Sequence, residues 1–379
     1  MAADLVALLS AKEMVLVCGS GGVGKTTTAA AMGVAAAVNT KGRVLVLTID
    51  PARRLAGALG IGALGNEATR VPDDAFADAG VEPRGELWAA MLDTKAGWDE
   101  LIRRHAPDAK VRESVLANPL YQNITSRFVH SHDYLAMERL HELHTSGEYD
   151  LIIVDTPPSR NAIAFLDAPG RMKEFFGSKL LKWLTVPYRS RLFTMASKPF
   201  YQVADRVLGS RFLQDIAEFF ILFQAMERGF VRHATEVEKI LSDPRTTFVV
   251  VSTLEAADTR GHLPRPRSAA ATCTSAIVAN RVLPKSFTTK SAKTAARKLV
   301  KRSGEIADQL GLDADPDAVA DVVGEMGRRF DDVAVVAKRE TERRSELSSM
   351  ASLLVPVPVL DRDVDDLADL VELTRSFGS

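Results

Sequence analysis

Cysteine is almost missing from this chain: Cys18 and Cys273 are the two in 379 residues, far apart and outside any C-x-x-C pair. That excludes a disulfide framework and a thiolate zinc site, and both thiols are expected to be reduced. No run of about 18 apolar residues is present to span a bilayer. The first residues, MAADLVALLS, lack the basic start and small-residue cleavage site of a secretory signal. A cytoplasmic protein is expected, with at most peripheral membrane contact. An excess of one charge is missing too, because 48 Lys and Arg against 49 Asp and Glu leave a formal net charge of -1. With no global field to attract nucleic acid or anionic lipid, no nucleic-acid partner is expected. What remains is an ordinary globular composition, 46% hydrophobic and 26% charged. The length exceeds the ~250 to 300 residues of a single growing core, so one large α/β domain with an attached subdomain is expected.

Short runs rich in Val, Ile and Leu, bounded by turn or charged residues and separated by helical patterns, mark buried parallel strands joined by helices. Six stand out: Met14 to Cys18, Val44 to Ile49, Leu151 to Asp155, Phe248 to Ser252, Ala276 to Ala279, and Leu353 to Val359. Between the third and fourth, residues 165–243 carry no strand-like run and read as helices broken near Pro187, Pro199 and Gly209. This stretch is expected to be a helical subdomain inserted into a core built from residues 1–164 and 244–379. Nine of the 16 Phe residues fall between Phe175 and Phe230, and two readings are open. They form the subdomain's own core, or they line a hydrophobic groove or dimer surface. Residues 285–350 read as strongly charged helices with solvated faces, and LLVPVPVL followed by DRDVDDLADLVEL reads as a last strand and a capping helix. Residues 256–275 fit neither pattern. They sit where a crossover helix belongs, yet have no helical periodicity and two prolines, reading either as a long irregular loop or as a local reading-frame error.

The chemistry concentrates in CGSGGVGKTT, which satisfies the phosphate-loop pattern G-x-x-x-x-G-K-[ST] at Gly19, Gly24, Lys25 and Thr26, after a strand and before an Ala-rich helix. The loop Gly19, Ser20, Gly21, Gly22, Val23, Gly24 curls its N–H groups inward around phosphate, and the helix begun by Lys25, Thr26 and Thr27 adds its positive end. Lys25 would neutralise the β and γ phosphates of ATP, and Thr26 would hold Mg2+. Two acids end strands at the carboxyl edge, where open α/β sheets bind ligands: Asp50 in LTIDPARRL and Asp155 in LIIVDTPP. Asp50 is placed to orient or activate water, and Asp155 to support the magnesium shell through water.

Together these residues resemble the ArsA-type ATPases, the arsenite-pump motors and guided-entry targeting factors. The motifs that carry the resemblance are GGVGKTT, the DPA of Asp50 to Ala52, Asp155, Thr156 and Pro158 of DTPPSRNAIAFLDAP, and AIVANRVLP around Asn280. The resemblance implies a P-loop NTPase fold, Mg2+-dependent ATP hydrolysis and a dimer opened and closed by nucleotide. It also implies Asp50 in a first switch, Asp155 opening a second, Asn280 contacting adenine, and Pro356 to Pro358 near the base. A helical subdomain would handle a hydrophobic client.

The departures are as informative. Such proteins usually carry a second lysine where this chain has Ser20, and that lysine reaches across the dimer to the partner's nucleotide. A homodimer is then expected to be a poor ATPase, and a heterodimer with a lysine-bearing paralogue is favoured; a nucleotide-binding regulatory subunit is the alternative. The second switch reads PPSRNA, with Asn161 in the family's His position. Arsenite capture is not expected, because it uses soft thiolates. Four histidines, His130, His132, His141 and His144, crowd into fifteen residues, but HDYLAMERLHELH reads as an amphipathic helix rather than a metal motif.

Overall fold

The computed structural model describes residues 4–49, 54–62, 64–92, 94–118, 121–122, 131–157, 168–177, 219–254, 274–310 and 315–378. In chain order these form α1 (Leu5–Ser10), β1 (Met14–Cys18), α2 (Lys25–Asn39), β2 (Arg43–Thr48), α3 (Arg54–Ala58), β3 (Thr69–Arg70), α4 (Asp73–Asp78) and β4 (Glu86–Met91). Then come α5 (Thr94–His105), α6 (Ala109–Ala117), α7 (Ser131–Ser146), β5 (Leu151–Asp155), α8 (Ala168–Gly177), α9 (Glu227–Leu241), β6 (Thr246–Thr253) and β7 (Thr274–Val282). A short 3-10 turn (Lys285–Thr288) leads to α10 (Lys290–Lys301), α11 (Ser303–Leu310), α12 (Pro316–Ser348), β8 (Leu353–Pro358) and α13 (Leu367–Thr374).

The strands form one sheet in the order β3-β4-β2-β5-β1-β6-β7-β8. Every pairing is parallel except that of the two-residue β3 with β4. β1 sits between β5 and β6, whereas the chain leaving β1 continues to β2 on the far side of β5. That reversal opens a crevice at the carboxyl end of β1, the place where open α/β sheets take ligands. Every residue of β1 and of β5 is buried, as continuous apolar runs covered on both faces require.

One face of the sheet is covered by α1, α2, α4 and α13, through Leu5, Leu9, the alanines of α2, Phe76, Leu370 and Phe377. At Gly33 a Cβ would collide with the Val46 side chain and lie 3.1 Å from Leu87 Cδ1, so the Ala- and Gly-rich sequence of α2 lets the helix lie close on β2 and β4. The other face is covered by α5, α6, α7 and α9. Phe219, Phe223 and Phe230 belong to this second layer and are buried against it. These three share one core with the strand residues Leu16, Leu47, Ile152 and Phe248 rather than forming a core of their own; Phe193, Phe200 and Phe212 lie outside the described residues.

All six expected strands are present. β7 is longer than expected and takes in Thr274 and Ser275, so the end of the doubtful 256–275 stretch is strand, fixed to β6 by a 2.7 Å bond from Thr247 Oγ1 to Ser275 Oγ. Residues 255–273, Cys273 among them, lie outside the described residues. Two strands were not expected: β3, and β4 with the sequence ELWAAM. The charged segment is helical as read, and α12 is anchored by two part-buried contacts: Glu340 Oε2 accepts from Leu283 N at 2.9 Å, and Arg343 Nη1 donates to Leu254 O at 2.8 Å.

Candidate functional site

The loop between β1 and α2 lies at the sheet's crevice. Gly22 and Gly24 adopt φ of 78° and 94°, a left-handed backbone that strains any residue with a Cβ. At Gly24 there is a second reason: a Cβ would run into the Asn280 side-chain amide. α2 begins at Lys25 directly after this glycine, with no side chain capping its first turn. The N–H groups and dipole of its first turn therefore face the loop. Lys25 is buried, and its Nζ donates to Ser20 O at 3.0 Å, drawing the ammonium across the loop.

Beneath the loop, Thr26 Oγ1 donates to Asp155 Oδ2 at 2.6 Å, and Thr48 Oγ1 donates to the same oxygen at 3.0 Å. Asp155 ends β5, Thr48 ends β2 and Thr26 opens α2, so three adjacent elements meet at one carboxylate that is 1% exposed. Thr156 folds back, its Oγ1 donating to Val17 O at 2.8 Å. Cys18, at the end of β1, is a buried thiol whose pKa burial raises to about 12, so it stays protonated and serves packing rather than chemistry.

Asn280 braces the loop from behind. Its Nδ2 donates to Val23 O at 2.8 Å, and its Oδ1 accepts from Arg281 N at 2.9 Å. The device that aims it is a register shift between β7 and β8 after Ala279, where Arg281 takes a φ of 59°. Such a bulge re-aims a side chain at the end of a strand. Pro356 pairs with Ala279 in β8, beside the bulge.

The structure thus gathers Gly19 to Thr27, Asp155 and Asn280 into one place. Asp50, Pro158 and Asn161 lie outside the described residues. Sequence reasoning missed Thr48, whose only signal is a hydroxyl at the last position of an apolar strand, and it missed the contact of Asn280 with the loop. The donor set suits a nucleotide with a hard divalent cation. A glycine cradle and a helix N-terminus fit phosphate, while a hydroxyl and a carboxylate oxygen at 2.6 Å are the hard oxygen donors that magnesium takes.

Comparison with known proteins agrees with the geometry. Residues 12–309 match the family model described as anion-transporting ATPase. The chain is also 28% identical over 240 residues to "ATPase GET3" of Malassezia globosa, a match that covers 62% of this chain and 62% of that relative.

Proposed function

Because the chain belongs to the anion-transporting, ArsA-type ATPase family, we propose that it binds and hydrolyses ATP with Mg2+ at Gly19 to Thr27, its nucleotide state governing the pairing of two chains and the handling of a hydrophobic client. The observation that carries this reading is the 2.6 Å bond between Thr26 and Asp155 under a complete glycine loop. It joins the residue that would ligate the metal to the acid that would hold the metal's water. When bound, magnesium neutralises charge on the β and γ phosphates. The chain's own residues do the rest. The N–H groups of Gly21 to Lys25 cradle phosphate, and Lys25 exchanges Ser20 O for the terminal phosphates. Asp155 orients the metal's shell through water, Asp50 positions the attacking water, and Asn280 with Pro356 borders the base.

Ser20 shapes the finer proposal. A cation delivered in trans to a loose phosphoryl-transfer transition state is worth about 10³ to 10⁵ in rate, judged by arginine fingers, and Ser20 cannot supply one. The productive assembly is therefore a heterodimer in which a lysine-bearing paralogue completes this chain's site. The same residue favours a second reading, a nucleotide-binding regulatory subunit with little turnover of its own. Magnesium-dependent turnover of wild type and Ser20→Lys, with mass measured in the same buffer, tests both. The expected result is slow turnover in wild type that rises sharply in the variant. Equal, substantial turnover in the two would overturn the dependence on a partner's lysine.

A further inference from the structure

On the second face of the sheet, three helices distant in sequence converge on one buried carboxylate. Glu138, on α7, is 3% exposed. Its Oε1 accepts from the Tyr134 hydroxyl one turn earlier. Its Oε2 lies 2.9 Å from His233 Nδ1 on α9 and 3.7 Å from His105 Nε2 at the end of α5. The His105 side chain is 3% exposed, and its Nε2 is a buried nitrogen with no hydrogen-bond partner among the described residues. The ring is held in place rather than left loose. It packs on Phe230 at 4.8 Å and edge-on to His233 at 4.6 Å between centroids. At Gly229 a Cβ would come within 2.6 Å of His105 Nδ1, so a glycine stands where the imidazole enters.

We propose that His105, Glu138 and His233 form a binding site for a divalent transition-metal ion of the zinc type. Two imidazole nitrogens and a carboxylate oxygen are the borderline donor set that favours zinc over the hard cations taken by oxygen-only sites. Tetrahedral bonds of about 2.1 Å separate ligand atoms by roughly 3.4 Å. The observed 2.9 Å and 3.7 Å bracket that spacing, and all three donor atoms lie within 4.8 Å of one another. An imidazole nitrogen buried without a hydrogen bond is costly, and a cation bound there answers it while meeting the charge of the carboxylate beside it. The three protein ligands leave a fourth position for water. Glu138 also borders an adjoining cavity of about 50 Å³, whose other charged lining residues, Glu100 and Glu142 with Arg104 and Arg139, are paired with one another.

The site is invisible as a motif, because Glu138 and His233 stand 95 residues apart. Of the crowded histidines the sequence displays, His144 instead pairs with Glu13 at 3.5 Å. His141 adjoins the site, its ring 4.7 Å from that of His233 and its Nε2 3.1 Å from Glu236 Oε2. An ion here would pin together α5, α7 and α9, and α7 leads directly into the strand that ends at Asp155.

The test uses the full chain, stripped with chelator and titrated with ZnCl2 by calorimetry, with Co2+ absorption in the visible reporting tetrahedral coordination. One ion per chain is expected. Affinity should fall in Glu138→Gln and His233→Gln by at least the ~100-fold that loss of an outer-shell partner can cost, and His144→Gln should bind as wild type. Those two changes also disturb a buried network, so His105→Gln is the decisive variant: it removes a nitrogen that makes no hydrogen bond. Its far-UV circular dichroism should match wild type while the cobalt spectrum is lost. Wild type without a bound ion, or His105→Gln binding as wild type does, overturns the proposal and leaves a metal-free polar core.

Discussion

Gly24 carries two constraints at once, a φ of 94° and the Asn280 amide lying where a Cβ would go. Gly24→Ala should therefore cost about 1–2 kcal/mol in backbone strain and, by pushing Asn280 off Val23 O, distort the cradle. A lowered melting temperature and weakened ATP binding, measured on the same sample, check both effects. The thiol at the end of β1 behaves oppositely, since it is present for packing alone. With its pKa raised to about 12 by burial, Cys18 in a Cys273→Ser background should not react with a disulfide reagent at pH 8 until denaturant is added. At this scale the sequence was informative where chemistry is local. The loop, Lys25, Thr26 and Asp155 are contiguous motifs or strand ends, and the structure brings them together. Thr48 on Asp155, Asn280 on Val23 and His105 beside Glu138 depend on contacts between distant segments, which no spacing encodes.

Among the elements, legibility follows burial. β1, β5 and β6 are buried along almost their whole length, so their sequences are apolar runs. β4 pairs with β2 over six residues, yet it begins with Glu86 and carries two alanines, so no Val- or Ile-rich run betrays it. β3 is two exposed residues and has no pattern to read. The bulge after Ala279 is equally silent, although it is what turns Asn280 to the loop. α12 shows how a helix that reads only as a charged surface is nonetheless docked. Glu340 is buried within it and takes the Leu283 N–H at 2.9 Å. Glu340→Ala removes the acceptor of a backbone donor and should cost about 1–3 kcal/mol. Glu342→Ala, which loses an exposed pair with Lys338, should cost no more than about 1 kcal/mol. Urea denaturation of the two variants distinguishes them.

For the whole molecule, one sheet serves two purposes on its two faces. The crevice at the carboxyl end of β1 holds the phosphate loop, while α5, α7 and α9 build a layer around the buried Glu138 cluster. Among the described residues no helix is long and apolar enough to cross a membrane. Ser20 makes the assembly state part of the catalytic question. Nucleotide binding by the single chain comes before it, because every further step of the proposed function requires Lys25, Thr26 and Asp155 to hold magnesium and ATP together. The most direct test is calorimetric titration of ATP into wild type and Lys25→Ala, each with and without Mg2+. The account predicts one ATP per chain, tighter with magnesium, and no measurable binding in the variant. Binding that ignores both magnesium and Lys25 would contradict it.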